Sequence, residues 1–171
     1  MSATTTQRPN VIEEITIGTQ TWSLRNYDFG GIAYDDDIDN VPEYGKLYTW
    51  AEANAIDIDG WHLPTETEYT TLSTYLGGTT VAGGHLKETG LDHWSTPNTG
   101  ADNSSGFTAL GGGQKQLGQP CVLLNESGIF WTATEHDGAN GRTFYVTSGS
   151  AASGSNAIAK THAFSVRLIK D

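Results

Sequence analysis

The clearest hydrophobic pattern lies in residues 59–78, where it predicts a helix of about three turns. Thr65 and, three residues later, Glu68 form a capping box, in which each side chain accepts a hydrogen bond from a free backbone N–H group. Gly77 and Gly78 provide the left-handed residues that commonly end helices. Between cap and end, apolar side chains recur at helical spacing: Tyr69, Leu72, Tyr75 and Leu76. We therefore predict a helix with one buried face.

Shorter patterns predict a second helix and a hairpin near the N-terminus. Thr49 and Glu52 form another capping box, so we expect a short helix that continues to Ala55. Apolar residues alternate on both sides of Gly18, which predicts two antiparallel strands. Pro64 disfavours helical backbone at the preceding residue, so the segment before it should be extended.

Strand-forming residues return in the second half of the chain, at 129–132, 143–147 and 163–169. In the last segment Phe164, Val166 and Leu168 share one face, which predicts a single half-buried strand. Together with the two helices, these strands indicate an α+β protein.

Long segments without a regular pattern separate these elements. We predict loops over residues 26–43 and over residues 77–113, the second interrupted by many glycines. The second loop should be packed, because it carries apolar anchors: Leu86, Leu91, Trp94, Phe107 and Leu110. Residues 148–156 are rich in serine, glycine and alanine, which predicts a loop tip or a flexible binding loop.

Length and charge limit the classes of partner. The 171 residues suit one domain, which we assign to residues 12–171, behind a tail of residues 1–11. Nine basic and twenty acidic residues give a net charge of −11, so nucleic acid and anionic membranes are unfavourable partners. No apolar run reaches the ~18 residues of a membrane-spanning helix, so we expect no membrane insertion. Cys121 is the only cysteine, which excludes an intramolecular disulfide.

The first ten residues are polar and lack the apolar core of a secretory signal. Alone they should be flexible. An attachment role against virion or assembly subunits is one expectation for residues 1–10.

Six short landmarks in register resemble the Fibrobacter succinogenes major paralogous domain family, from about residue 12 to the C-terminus. They are Ile-Gly-Thr-Gln-Thr-Trp at 17–22, Tyr-Gly-Lys-Leu-Tyr-Thr-Trp at 44–50, Gly-Trp-His-Leu-Pro-Thr at 60–65, Gly-Phe-Thr-Ala-Leu-Gly-Gly at 106–112, Phe-Trp-Thr-Ala-Thr-Glu at 130–135 and Phe-Ser-Val-Arg at 164–167. Residues 63–66 also resemble formylglycine-generating-enzyme-like domains. The resemblance implies a C-type-lectin-like fold: two helices, a small twisted antiparallel sheet and long irregular loops, with the N- and C-terminal strands paired. It also implies a surface role, since such domains occur on bacteriophage particles.

Acidic residues 35–39 raise the question of a metal site. Asp35, Asp37 and Asp39 offer the oxygen ligands that Ca²⁺ prefers. The segment fails the EF-hand pattern, because Lys46 stands where that loop needs a bidentate glutamate. We expect a solvated acidic loop and no cofactor, with Ca²⁺ at these aspartates as the alternative.

Other candidate residues fall mostly on predicted loops. Glu66, Glu68 and His62 are better explained by helix capping and packing than by acid–base chemistry. Of the five tryptophans, Trp94 is the one outside the motif segments, and we regard it as a candidate platform for stacking a sugar. Around it we place the expected ligand-binding residues on the late loops: Glu135, His136, Asp137, Asn140, Arg142, Ser150 and Asn156.

These observations favour a non-catalytic lectin-like module, displayed on a cell or virion surface and binding a glycan or a surface protein. The first alternative is a virion structural or decoration protein attached through its N-terminal tail. The second is an enzyme of unknown type, because fold alone does not fix function. An extracellular or virion location suits the first two classes.

Overall fold

Short antiparallel strands in three sheets, with four helices, form the structure, a computed structural model that describes residues 12–34 and 41–171. The helices in those ranges are α1 (Val41–Tyr44), α2 (Trp50–Asn54), α3 (Glu66–Tyr75) and α4 (Thr79–Leu86). The strands are β1 (Glu14–Ile17), β2 (Gln20–Ser23), β3 (Tyr48–Thr49), β4 (Trp61–His62), β5 (Gly112–Gln116), β6 (Cys121–Leu124), β7 (Ser127–Glu135), β8 (Asn140–Thr147), β9 (Ser153–Ala159), β10 (His162–Phe164) and β11 (Ile169–Lys170). This composition confirms the α+β class. None of these helices is long and apolar enough to cross a membrane.

The first sheet joins the two ends of the described chain. Its strand order is β1-β2-β11-β4, and Ile169 of β11 pairs with both Trp22 of β2 and His62 of β4. The second sheet has the order β3-β10-β5-β6, and the third is the meander β7-β8-β9. The expected pairing of N- and C-terminal strands is therefore confirmed.

Both predicted capping boxes are present. The Thr65 hydroxyl accepts from the Glu68 N–H (3.2 Å), and the Glu68 carboxylate accepts from the Thr65 N–H (2.7 Å). Thr49 and Glu52 make the same exchange at the start of α2. Gly77, with φ of +95°, follows the last turn of α3, where a side chain would be strained.

The segment predicted as a long loop contains α4, which the sequence pattern missed. Gly83 and Gly84 have low intrinsic helix propensity, which argued against a helix. In the structure their missing side chains let α4 approach the backbone of Ala152 and Gly100. Tertiary packing thus stabilises a helix that local propensity does not favour.

The prediction of a single strand at 163–169 was wrong. The segment forms β10 in the second sheet and β11 in the first, with residues 166–168 irregular between them. All seven residues are buried, so the half-exposed alternation predicted for this segment does not occur. Strands β5 and β6 were also missed, and β9 includes the last four residues of the loop predicted at 148–156.

Two aromatic clusters pack on opposite faces of β7, because neighbouring residues of a strand point to opposite sides. One contains Phe130 with Trp22 and Tyr69, and the other contains Trp131 with Phe164. Tyr69 stacks on Phe144 of β8 with ring centroids 4.3 Å apart. The third sheet is thereby anchored to α3.

Two predictions lie outside the described residues. They are the N-terminal attachment tail and the acidic segment with Asp35, Asp37 and Asp39.

Candidate functional site

A cleft of about 450 Å³ opens beside the segment that follows β2. Residues 25–29 form one wall, α1 and Gly45 another, and Ile58 and Leu168 contribute apolar surface. Its size falls within the range of small-molecule binding sites. It is larger than the cleft of about 60 Å³ between α3, β8 and β9.

Buried Arg167 fixes the inner wall of this cleft. Its Nη1 donates to the carbonyl oxygens of Ser23 (2.9 Å) and Leu24 (2.8 Å), and its Nε donates to Asn26 Oδ1 (2.7 Å). Asn26 in turn donates through Nδ2 to the Tyr44 carbonyl oxygen (2.8 Å). Burial lowers the pKa of the Arg167 guanidinium, while hydrogen bonds to oxygen acceptors stabilise its charge. The wall is therefore preorganised.

Two aromatic side chains, Tyr27 and Phe29, face the cleft. Their ring centroids lie 5.9 Å apart at an interplanar angle of 41°. Tyr48 supports both, since its ring lies 5.7 Å from that of Tyr27 and its hydroxyl donates to the Phe29 carbonyl oxygen (2.8 Å). Phe29 is 48% exposed, so part of its ring is accessible from solvent.

Charged side chains line the same cleft. Arg25 Nε donates to Glu13 Oε2 at 3.0 Å, and Glu43 Oε2 lies 3.4 Å from His93 Nε2. Within residues 12–34 and 41–171, no hydrogen bond or ion pair engages the Asp28 carboxylate. Burial and, secondly, the charge of Asp28 raise the pKa of the Tyr27 hydroxyl, so the phenol stays neutral.

Most of the ligand-binding residues predicted at the β7–β8 turn have their polar groups engaged by hydrogen bonds or ion pairs within the protein. Asp137 Oδ1 accepts from the backbone N–H groups of Ala139 and Asn140, both at 2.8 Å. Glu135 pairs with Lys160, whose ammonium also lies 4.4 Å from the ring centre of Trp50. His136 is exposed beside them. The geometry is that of a closed turn.

Arg142 and Asn156 lie on strands and not on loops. Arg142 is bound by Glu66 of α3, and Asn156 is exposed on the edge strand β9. Ser150 does lie in the β8–β9 loop, where its carbonyl oxygen accepts from Lys87 Nζ (2.9 Å). This loop and the β7–β8 turn are at opposite ends of β8, so the structure does not bring the predicted residues into one site.

The prediction that Trp94 forms a stacking platform was wrong. Trp94 is 1% exposed, and its Nε1 donates to the Ala109 carbonyl oxygen (3.0 Å). The loop that carries it folds inward on Phe107 and Leu86. No face of the indole is available to a ligand.

One further cluster combines a histidine, an aspartate and a serine. His85 Nδ1 lies 2.9 Å from both Asp102 Oδ2 and Ser104 Oγ. A catalytic triad needs the serine and the aspartate on different ring nitrogens. This arrangement is that of a surface turn. In the described ranges no three histidine, cysteine or acidic residues are grouped as metal ligands.

Sequence reasoning missed Tyr27, Asp28 and Phe29 because residues 26–43 carry no periodic pattern. The available indication was a pair of aromatic residues flanking an acidic one within a loop. Loop residues held by a rigid scaffold often bind ligands.

The sequence profile of the Fibrobacter succinogenes major domain family matches residues 15–170. No curated protein and no solved structure matches the chain.

Proposed function

The chain belongs to the Fibrobacter succinogenes major domain family, and on this basis we propose that it is a non-catalytic recognition module with a C-type-lectin-like fold. The module is displayed on a cell or virion surface and binds a glycan. Two capped helices, the paired terminal strands and the long packed loops support this fold assignment.

The observation that carries the proposal is the aromatic pair at the cleft. Tyr27 and Phe29 line the cleft and offer aromatic surface on which we expect the apolar face of a sugar to stack. Asp28, Arg25 and Glu43 are polar groups on the same cleft that can bind sugar hydroxyls. Sites of this kind combine apolar contact area with a few polar groups that fix orientation.

Preorganisation favours binding without a large conformational cost. Arg167 and Tyr48 hold the backbone at both ends of residues 23–29 through hydrogen bonds. A ligand therefore meets a wall that is already ordered, so less entropy is lost on association.

A glycan array tests the proposal with wild-type protein and the Phe29→Ala variant. We expect wild type to bind a defined group of glycans and the variant to lose most of that signal. Leu117→Ala is the matched control, because Leu117 is also exposed but lies on the β5–β6 turn, away from the cleft. Equal signals for wild type and Phe29→Ala, or no glycan bound at all, would contradict the proposal.

A further inference from the structure

The charged side chains that line the cleft are predominantly acidic. Among the described lining residues, Glu13, Asp28 and Glu43 carry three negative charges and Arg25 carries one positive charge, a formal balance of −2. Arg25 is paired with Glu13, and Glu43 has His93 nearby. Asp28 is exposed to solvent and lies between Tyr27 and Phe29 in the sequence.

Elsewhere the chain uses an aromatic ring and a carboxylate together to bind an ammonium group. Lys160 lies over Trp50 and pairs with Glu135. Lys170 lies 5.7 Å from the ring centre of Trp61 and pairs with Glu14 at 2.6 Å. Ring faces attract cations because their π-electrons are negative at the face.

The described lining of the cleft has the same two kinds of group, aromatic rings and a carboxylate. Tyr27 and Phe29 supply the rings and Asp28 supplies the carboxylate, and no cation–π contact among the described residues uses either ring. The matching ligand group is a primary ammonium.

The shape of the cleft favours a sugar ring over a peptide as the carrier of that ammonium. Extended peptides are commonly bound along a free strand edge. Of the described residues of the cleft wall, only Ser23 belongs to a strand; it ends β2, and β2 is paired on both sides. A compact cleft of about 450 Å³ suits a small cyclic ligand.

We propose that the cleft selects glycans that carry free amino groups, such as de-N-acetylated hexosamine oligomers, over their N-acetylated counterparts. This inference rests on the proposed glycan-binding function and adds the chemical class of ligand. Selectivity arises because the ammonium meets Asp28 and the ring pair together, whereas an acetamide meets them without a charge.

Titration calorimetry with two oligomers of equal length, glucosamine and N-acetylglucosamine, tests the inference on the full chain. At about pH 6 an aliphatic amine carries its proton. We expect the glucosamine oligomer to bind about fivefold more tightly, with a preference that falls as salt is added. Asp28→Asn should remove the preference. Asp92→Asn, the same charge change at an exposed position away from the cleft lining, should retain it.

The possible outcomes distinguish a failure of the amino-group preference from a failure of glycan binding itself. Equal or tighter binding of the acetylated oligomer, lost in Phe29→Ala, overturns the inference and leaves glycan recognition intact. Failure of both oligomers to bind while other glycans bind the array also overturns the inference alone. Binding of a lysine oligomer as tightly as the glucosamine oligomer would make the cleft a general cation site and overturn the assignment to glycans.

Discussion

Arg142 on β8 and Glu66 at the start of α3 form a bidentate ion pair. Arg142 Nη2 lies 2.6 Å from Glu66 Oε1, and Nε lies 3.0 Å from both carboxylate oxygens. Ser155 of β9 also donates to Oε1 (2.6 Å). The hydrogen bond from Arg142 lowers the pKa of Glu66. One carboxylate thereby joins α3 to two strands, so Arg142 stabilises the fold and is not free for a ligand.

A double-mutant cycle on Glu66→Ala and Arg142→Ala should give a coupling energy of about 1 kcal/mol in urea unfolding. Both side chains are about three-quarters buried, at 27% and 28% exposure, so solvent screens the pair only in part. The pair Arg25–Glu13, at 74% and 60% exposure, is the control and should show coupling near zero. Equal coupling energies in the two cycles would show that burial does not strengthen the Glu66–Arg142 pair over the exposed Arg25–Glu13 pair.

Because Lys87 is buried, the free energy of unfolding should change with pH in the alkaline range. Its Nζ donates to the carbonyl oxygens of Thr99 (3.0 Å), Thr147 (2.8 Å) and Ser150 (2.9 Å), and burial lowers its pKa to about 8. The unfolded chain keeps this proton up to the ordinary lysine pKa, so it binds more protons than the folded chain between about pH 8 and 10.5. The contribution of Lys87 to stability therefore rises with pH across that window.

Comparing wild type with Lys87→Met isolates that contribution. The variant should lose about 2 kcal/mol at neutral pH, because three buried carbonyl oxygens lose their donor. The difference in unfolding free energy between the two proteins should then grow from about pH 8 to 10.5. A constant difference across this range would contradict a lowered pKa for Lys87 in the folded protein.

His62 should stabilise the protein most at mildly acidic pH. Burial lowers its pKa, but hydrogen bonds to Glu68 Oε1 (2.9 Å) and Asp171 Oδ1 (2.7 Å) outweigh burial and raise it. A raised histidine pKa gives stability that is complete below the ordinary value of 6.5 and is lost as pH rises through the folded value.

The variant His62→Gln should therefore be less stable than wild type by about 0.5–1 kcal/mol near pH 5.5, with a smaller deficit at pH 8. Thermal melts at the two pH values measure this. His136→Gln is the control, because its nearest carboxylate oxygen, on Asp137, is 4.0 Å away. A loss of stability in His62→Gln that increased with pH would contradict a raised pKa for His62.

Local rules predicted the helix starts because a capping box is encoded by two residues at fixed spacing. They did not predict the division of residues 163–169 between two sheets, since that depends on partners more than a hundred positions away, such as Trp22. Nor did they place Arg167 in the core. A buried arginine is stable only where other segments supply acceptors, and those segments cannot be identified from its own neighbours in sequence.

Trp94 shows the same limit for the ligand site that the sequence predicted. An isolated tryptophan in an aperiodic segment fits an exposed platform and a core anchor equally well in sequence. Because it is core, Trp94→Ala should lower the unfolding free energy by about 3–5 kcal/mol. The milder Trp94→Phe should fold and bind glycans as wild type does. If a fully stable Trp94→Phe variant lost glycan binding, the prediction that Trp94 stacks on the ligand would be supported instead.

The central claim, that the cleft at Tyr27 and Phe29 is the ligand site, is tested most directly by an NMR titration of isotope-labelled protein with the glycan that binds best on the array. We expect the backbone amide signals of residues 25–29 and of Glu43 to shift progressively with ligand, while those of residues 135–142 stay in place. Shifts confined to residues 135–142, with residues 25–29 unchanged, would contradict it and place recognition on the β7–β8 turn.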